Sequence, residues 1–169
     1  AMLDAETTLS CPYSAALSAA VDALVHTLES FVCKQHTFWT RMYAKEAFGL
    51  LMRAMPALKR DPKNLESRLE LLVAANLAAT SLCNSGSGVA GALSYPTGVH
   101  YRVPHGIAGG IFCLDVVRFN ITHGYTHYSF LGEGLSSTGS ETERAWAVYE
   151  HLRSLFDELA GPQTLTAFG

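Results

Sequence analysis

Asp22 and His26 stand one helical turn apart in "VDALVHTLES", a run of good helix formers over residues 21–30. A carboxylate and an imidazole at this spacing can face the same way and grip one divalent metal ion. A solvated or locally bonded pair satisfies the same spacing. The surroundings raise the metal reading, because both residues lie in a strongly apolar segment and a buried charge demands a partner. His105 is the third candidate ligand. It sits in "VPHG", between a proline that sets where a helix begins and a glycine, ahead of the apolar run "IAGGIFCLDVV". The positive end of a helix dipole at that point disfavours imidazolium and keeps a ring lone pair free for a metal. A carboxylate with two imidazoles is a donor set suited to Zn²⁺ or Fe²⁺.

The other histidines have weaker claims. His123 and His127 repeat the four-residue spacing, but in a Gly/Tyr/Thr-rich segment that reads as loop. His36 and His151 read as exposed, and His100 falls in a loop ahead of His105. "GSGVAG", residues 86–91, has the form G-x-G-x-x-G. No β-strand precedes it, so the strand-turn-helix that would aim its amides at a pyrophosphate is missing. Neither a phosphate loop of the G-x-x-x-x-G-K-[ST] kind nor a G-x-S-x-G elbow occurs.

The elements that must position these residues read as helices. "SCPYSAALSAAVDALVHTLESFVC" has Ser10 as a cap, Pro12 near the first turn and apolar residues at helical spacing to Cys33. Thr40 to Leu58 predicts a second helix, with Pro56 near its end and "KRDPKN" as the loop beyond. Leu65 to Cys83 predicts a third. "NSGSGVAGALSYPTG" has an apolar centre that reads as a short buried helix, with glycines that let neighbouring backbone come close. A further helix starts at or just after Pro104, "THGYTHYSFLGEGLSSTGS" reads as loop, and "ETERAWAVYEHLRSLFDELAG" is an amphipathic helix ended by Gly161-Pro162. No alternating β-branched strand appears. The fold class is all-α, a helical bundle in a single domain over residues 1–169.

Composition bounds the rest. Hydrophobic residues make up 49% of the 169 and charged residues 16%, so much of the chain must be buried. A net charge of −3 with interleaved signs offers no basic patch, which argues against a nucleic-acid partner. No stretch approaches the ~20 uninterrupted apolar residues of a membrane span, and residues 1–10 are acidic and polar, unlike a signal peptide. Four cysteines without a C-x-x-C pair read as free thiols, three of them set among apolar residues and expected to be buried. The expectation is a cytoplasmic protein.

"LDAETTLSCPYSAALSAAVDALVHTLESFV" resembles the start of the helical C-terminal domain of iron-containing (group III) alcohol dehydrogenases, within the dehydroquinate synthase-like superfamily. That family opens the domain with a D-A-L-x-H-x-x-E helix. "NSGSGVAGALSYPTGVHYRVPHGIAGGIFCLDVVRFN" is similar to its segment of small residues, its H-P-x-G and its P-H-G, and "HLRSLFDELAGPQTLTAFG" to a later helix with a Gly-Pro exit. The resemblance implies that Asp22, His26 and His105 are metal ligands. It also marks two departures. Gly91 stands where the family has a further histidine ligand, and Tyr95 where it has the histidine of H-P-x-G. A histidine placed at 91 is expected to restore the fourth ligand, and Tyr95 offers a hydroxyl as an alternative proton shuttle.

The resemblance further implies NAD(P)-dependent interconversion of a small-molecule alcohol and an aldehyde or ketone, with Fe or Zn as the metal. NAD(P) would be held through an N-terminal dinucleotide-binding domain that this sequence does not include, so the chain reads as a fragment that also lacks the family's last helices. A homo-oligomer is compatible. A metal-independent reductase similar to maleylacetate reductases, with Arg102 meeting a substrate carboxylate, is the rival enzyme. A non-catalytic helical interaction domain is the rival of another class.

Overall fold

The computed structural model describes residues 2–132, 138–159 and 164–167, and its architecture is a bundle of six α-helices. They are α1 (Tyr13–Val32), α2 (Phe38–Arg60), α3 (Leu65–Cys83), α4 (Val89–Tyr101), α5 (His105–Thr122) and α6 (Glu141–Leu159). Among the described residues there is no strand. α1 is the axis, because its apolar positions are wide enough to bury on several sides. Val21, Leu24, Val25, Leu28 and Phe31 are all shut away from solvent, and α2, α3 and α5 pack around them. By length and composition α1 could cross a bilayer, yet 61% of that stretch is buried inside the bundle.

Local chemistry fixes the helix starts. Thr37 and Thr40 form a reciprocal capping box, Thr37 Oγ1 accepting from Thr40 N at 3.2 Å and Thr40 Oγ1 accepting from Thr37 N at 2.8 Å. That box begins α2 at Phe38, two residues ahead of the sequence expectation, and α2 continues through Pro56 to Arg60. Asn64 Oδ1 caps α3 by accepting from Ser67 N at 2.8 Å. α1 has no such cap. Pro12 stands at its N-cap position rather than Ser10, and no side-chain cap bond is made there.

Three expectations need correction. α4 is only half buried. Ala90, Gly91, Ser94 and Thr97 face inward while Val89, Leu93, Tyr95, Val99 and Tyr101 are exposed, because α5 is its main neighbour. The segment read as loop is partly structured. α5 runs to Thr122, and a 3-10 turn over His127–Phe130 seats Tyr128 in the core, where its hydroxyl accepts from Asn120 Nδ2 at 2.8 Å. A phenol needs such a partner when buried, and no periodicity announces a single turn. Only Cys113 of the four free cysteines is buried; Cys11 and Cys33 are partly covered and Cys83 is exposed. The Gly161-Pro162 exit lies outside the described residues.

Candidate metal centre

The site is made where the start of α5 lands on the middle of α1. Gly106 permits that landing. A Cβ on Gly106 would lie 2.0 Å from the Ser18 carbonyl oxygen and 2.8 Å from Asp22 Cβ, so the two helix backbones touch with nothing between them. Gly109, one turn on, lies against Val25. This close crossing delivers His105, the first residue of α5, to Asp22.

Asp22 Oδ1 lies 3.6 Å from His26 Nε2 and 3.7 Å from His105 Nε2. The three ligand atoms are all within 4.8 Å of one another. Their side chains are 31%, 23% and 44% exposed respectively, so the cluster is held by the fold and open to solvent. Asp22 is hydrogen-bonded to neither histidine. Both contacts exceed the ~3.2 Å of an N–H···O bond, and the carboxylate sits between the rings. Two ligands on one ion at ~2.1 Å stand up to ~4.2 Å apart, so both Asp22–His separations suit a shared ion as they are. The donor set therefore fits a divalent metal by type, and both Asp22–His pairs fit it by spacing.

The fourth position is occupied by different chemistry. Glu29, two turns beyond Asp22 on α1, is buried. Its carboxylate accepts from Gly91 N at 3.0 Å, Gly88 N at 2.9 Å and Ser87 Oγ at 2.9 Å. These are the free amides at the N-terminus of α4, a natural anion site that Glu29 fills from within the chain. Two amides of the G-x-G-x-x-G pattern, those of Gly88 and Gly91, are thus already bonded to Glu29. A Cβ at 91 would stand 2.5 Å from Ser87 Oγ and 2.8 Å from Glu29 Oε2, so the room a histidine there would need is taken. A histidine at 91 would have to displace those two side-chain ends before it could add a ligand. The charge of Glu29 also reaches Cys113, whose thiol is pushed up to about 12, first by burial and second by that carboxylate.

Sequence reasoning missed Glu29 as a structural group, although a carboxylate on an apolar helix signals a buried partner. Tyr95 lies over His105 with ring centroids 5.0 Å apart, its own ring largely exposed. Arg102 is exposed at the end of α4 with φ +55°. His36 and His151, read as exposed, are each partly buried and take no part in the cluster. His123 and His127 do not join it either; His123 stacks on Phe119 and His127 packs edge-on against Tyr125.

The sequence model of the Fe-containing alcohol dehydrogenase family, C-terminal, matches residues 16–169. The NAD-dependent methanol dehydrogenase of Bacillus methanolicus is 28% identical over 92% of this chain and 42% of its own length. The NADPH-dependent butanol dehydrogenase of Clostridium saccharobutylicum is 24% identical over 100% of this chain and 43% of its own. Among solved structures, a 1,3-propanediol oxidoreductase superposes with a TM-score of 0.88 at 25% identity, over 95% of this chain and 43% of that one. The chain therefore spans less than half the length of these relatives. It belongs to the Fe-containing alcohol dehydrogenase family, in the C-terminal region of that family's sequence.

Proposed function

We propose that this chain is the metal- and substrate-binding part of an NAD(P)-dependent oxidoreductase that interconverts a small alcohol and an aldehyde or ketone. The observation that carries the reading is the convergence of Asp22, His26 and His105, from two helices, on one point open to solvent. Asp22 would neutralise part of the charge of a divalent ion, and His26 and His105 would each lend an Nε2 lone pair. Bound there, Fe²⁺ or Zn²⁺ supplies a Lewis acid that polarises a substrate oxygen. Three protein ligands leave coordination positions open, as catalytic sites require. Tyr95, packed on His105 and exposed, would offer its hydroxyl to exchange a proton between a substrate hydroxyl and water.

Hydride chemistry belongs to NAD(P), and among the described residues no strand-turn-helix exists to hold its phosphates. The reading therefore assigns the dinucleotide to a separate domain, with this chain as one part of a longer protein. The exposed Tyr95, packed on His105, and Val99, one turn further along α4, form an apolar surface suited to being covered by such a domain. Four free thiols suit a reducing compartment and a cytoplasmic location.

The test uses Co²⁺ as a spectroscopic stand-in. The chain loaded with Co²⁺ should show visible ligand-field bands that change on addition of millimolar butanol or butyraldehyde. Bands indifferent to both at saturation would count against substrate oxygen meeting the metal.

A further inference from the structure

Ser94 is buried on the inner face of α4 and touches two groups. Its Oγ lies 2.6 Å from the Gly91 carbonyl oxygen and 3.2 Å from His105 Nδ1. A hydroxyl has one proton to give. Two oxygens 2.6 Å apart repel unless that proton lies between them, so Ser94 donates to Gly91. Its remaining lone pair can only accept from His105, which places a proton on Nδ1. In a neutral imidazole the other nitrogen is then bare. Nε2 of His105 is the atom that faces Asp22 at 3.7 Å. That distance agrees, because an Nε2–H so near a carboxylate would be drawn in to ~2.8 Å as a hydrogen bond.

We propose that Ser94 is a positioning residue that fixes the tautomer of His105, holding its Nε2 lone pair toward Asp22 and keeping the two from closing on each other. A helical serine commonly bonds a carbonyl three or four residues back. What sets Ser94 apart is the second contact, to an imidazole on the neighbouring helix. Without it the ring is free to carry its proton on Nε2 and donate to Asp22, which would use up one ligand from each side. The inference rests on the metal reading of Asp22, His26 and His105 for its purpose, but the tautomer itself is a property of the metal-free chain.

The experiment is long-range ¹H–¹⁵N correlation of the histidine rings in the metal-free protein near pH 8, combined with Co²⁺ titration calorimetry. Wild type should show His105 protonated on Nδ1. Ser94→Ala should shift the ring toward the Nε2–H form and lower Co²⁺ affinity about tenfold, the lower end for loss of a group that orients a metal ligand. Ser94→Thr, which keeps the hydroxyl, should restore both. A wild-type His105 protonated on Nε2 would overturn the proposal. So would a folded Ser94→Ala with tautomer and affinity unchanged. Should Ser94→Ala fail to fold, the wild-type spectrum still decides. Wild-type protein that takes up no Co²⁺ would sink the metal reading, while the ring spectrum would judge Ser94 separately.

Discussion

Two helix N-termini, those of α4 and α5, run up against the same helix and meet carboxylates two turns apart on it. The start of α4 meets Glu29, which is buried and takes hydrogen bonds from two amides and a hydroxyl. The start of α5 meets Asp22, which is partly exposed and, among the described residues, accepts no hydrogen bond, standing 3.6 and 3.7 Å from two imidazole nitrogens. One carboxylate has found its donors within the chain, and its work is to hold α4 in place. The other stands beside two imidazole nitrogens with no hydrogen bond to either, an arrangement open to a cation. Residue type alone does not separate structure from chemistry here; the burial and the partners of each oxygen do.

The largest effect should come from removing the close approach that makes the open end. Gly106→Ala puts a methyl group on the Ser18 carbonyl, where only backbone can yield. Unfolding in urea should show a loss of about 3 kcal/mol, the upper range for forced overpacking, and Co²⁺ binding should vanish with it. Stability within about 0.5 kcal/mol of wild type would show that α5 can shift without consequence.

Glu29→Ala should come next, and should strike the closed end alone. It leaves two amides and a hydroxyl without their acceptor, at about 2–3 kcal/mol for buried polar groups left unpaired. The prediction is a lower urea midpoint with Co²⁺ affinity within a few-fold of wild type. Asp22→Ala should show the reverse. Its stability should stay within about 1 kcal/mol of wild type, while Co²⁺ affinity falls about a hundredfold, equal to ~2.7 kcal/mol. If the two substitutions gave the same pattern by calorimetry and urea titration, the contrast between the two ends would be void.

Gly91→Ala should be the mildest, at about 1 kcal/mol by the same urea measurement. The atoms a Cβ meets are the ends of the Ser87 and Glu29 side chains, which can give way more easily than backbone can.

Much of this was legible beforehand, for identifiable reasons. α3 has the bounds its sequence indicates, Leu65 to Cys83, because Asn64 caps its start and Arg/Glu pairs lead into an apolar second half. Asp22, His26 and His105 could be named from spacing and from the P-H-G and D-A-L-x-H anchors, since four-residue spacing fixes a shared helix face. What the sequence hid is set by packing between helices. That Gly91 is crowded by Glu29 depends on a contact 62 residues apart in the chain, and the role of Ser94 on one across 11. The half-exposed face of α4 was equally hidden, as an apolar composition looks the same whether a neighbour covers it or not. Gly106 was visible as a glycine, but the backbone it meets was not.

A metal shared by Asp22, His26 and His105 is tested most directly by X-ray diffraction from crystals soaked in Zn²⁺, collected above and below the zinc absorption edge. One strong anomalous peak is expected, bonded at ~2.0–2.2 Å to the Asp22 carboxylate and to Nε2 of His26 and His105. No peak at saturating Zn²⁺, or a single peak at Glu29 with the Asp22 cluster empty, would contradict it.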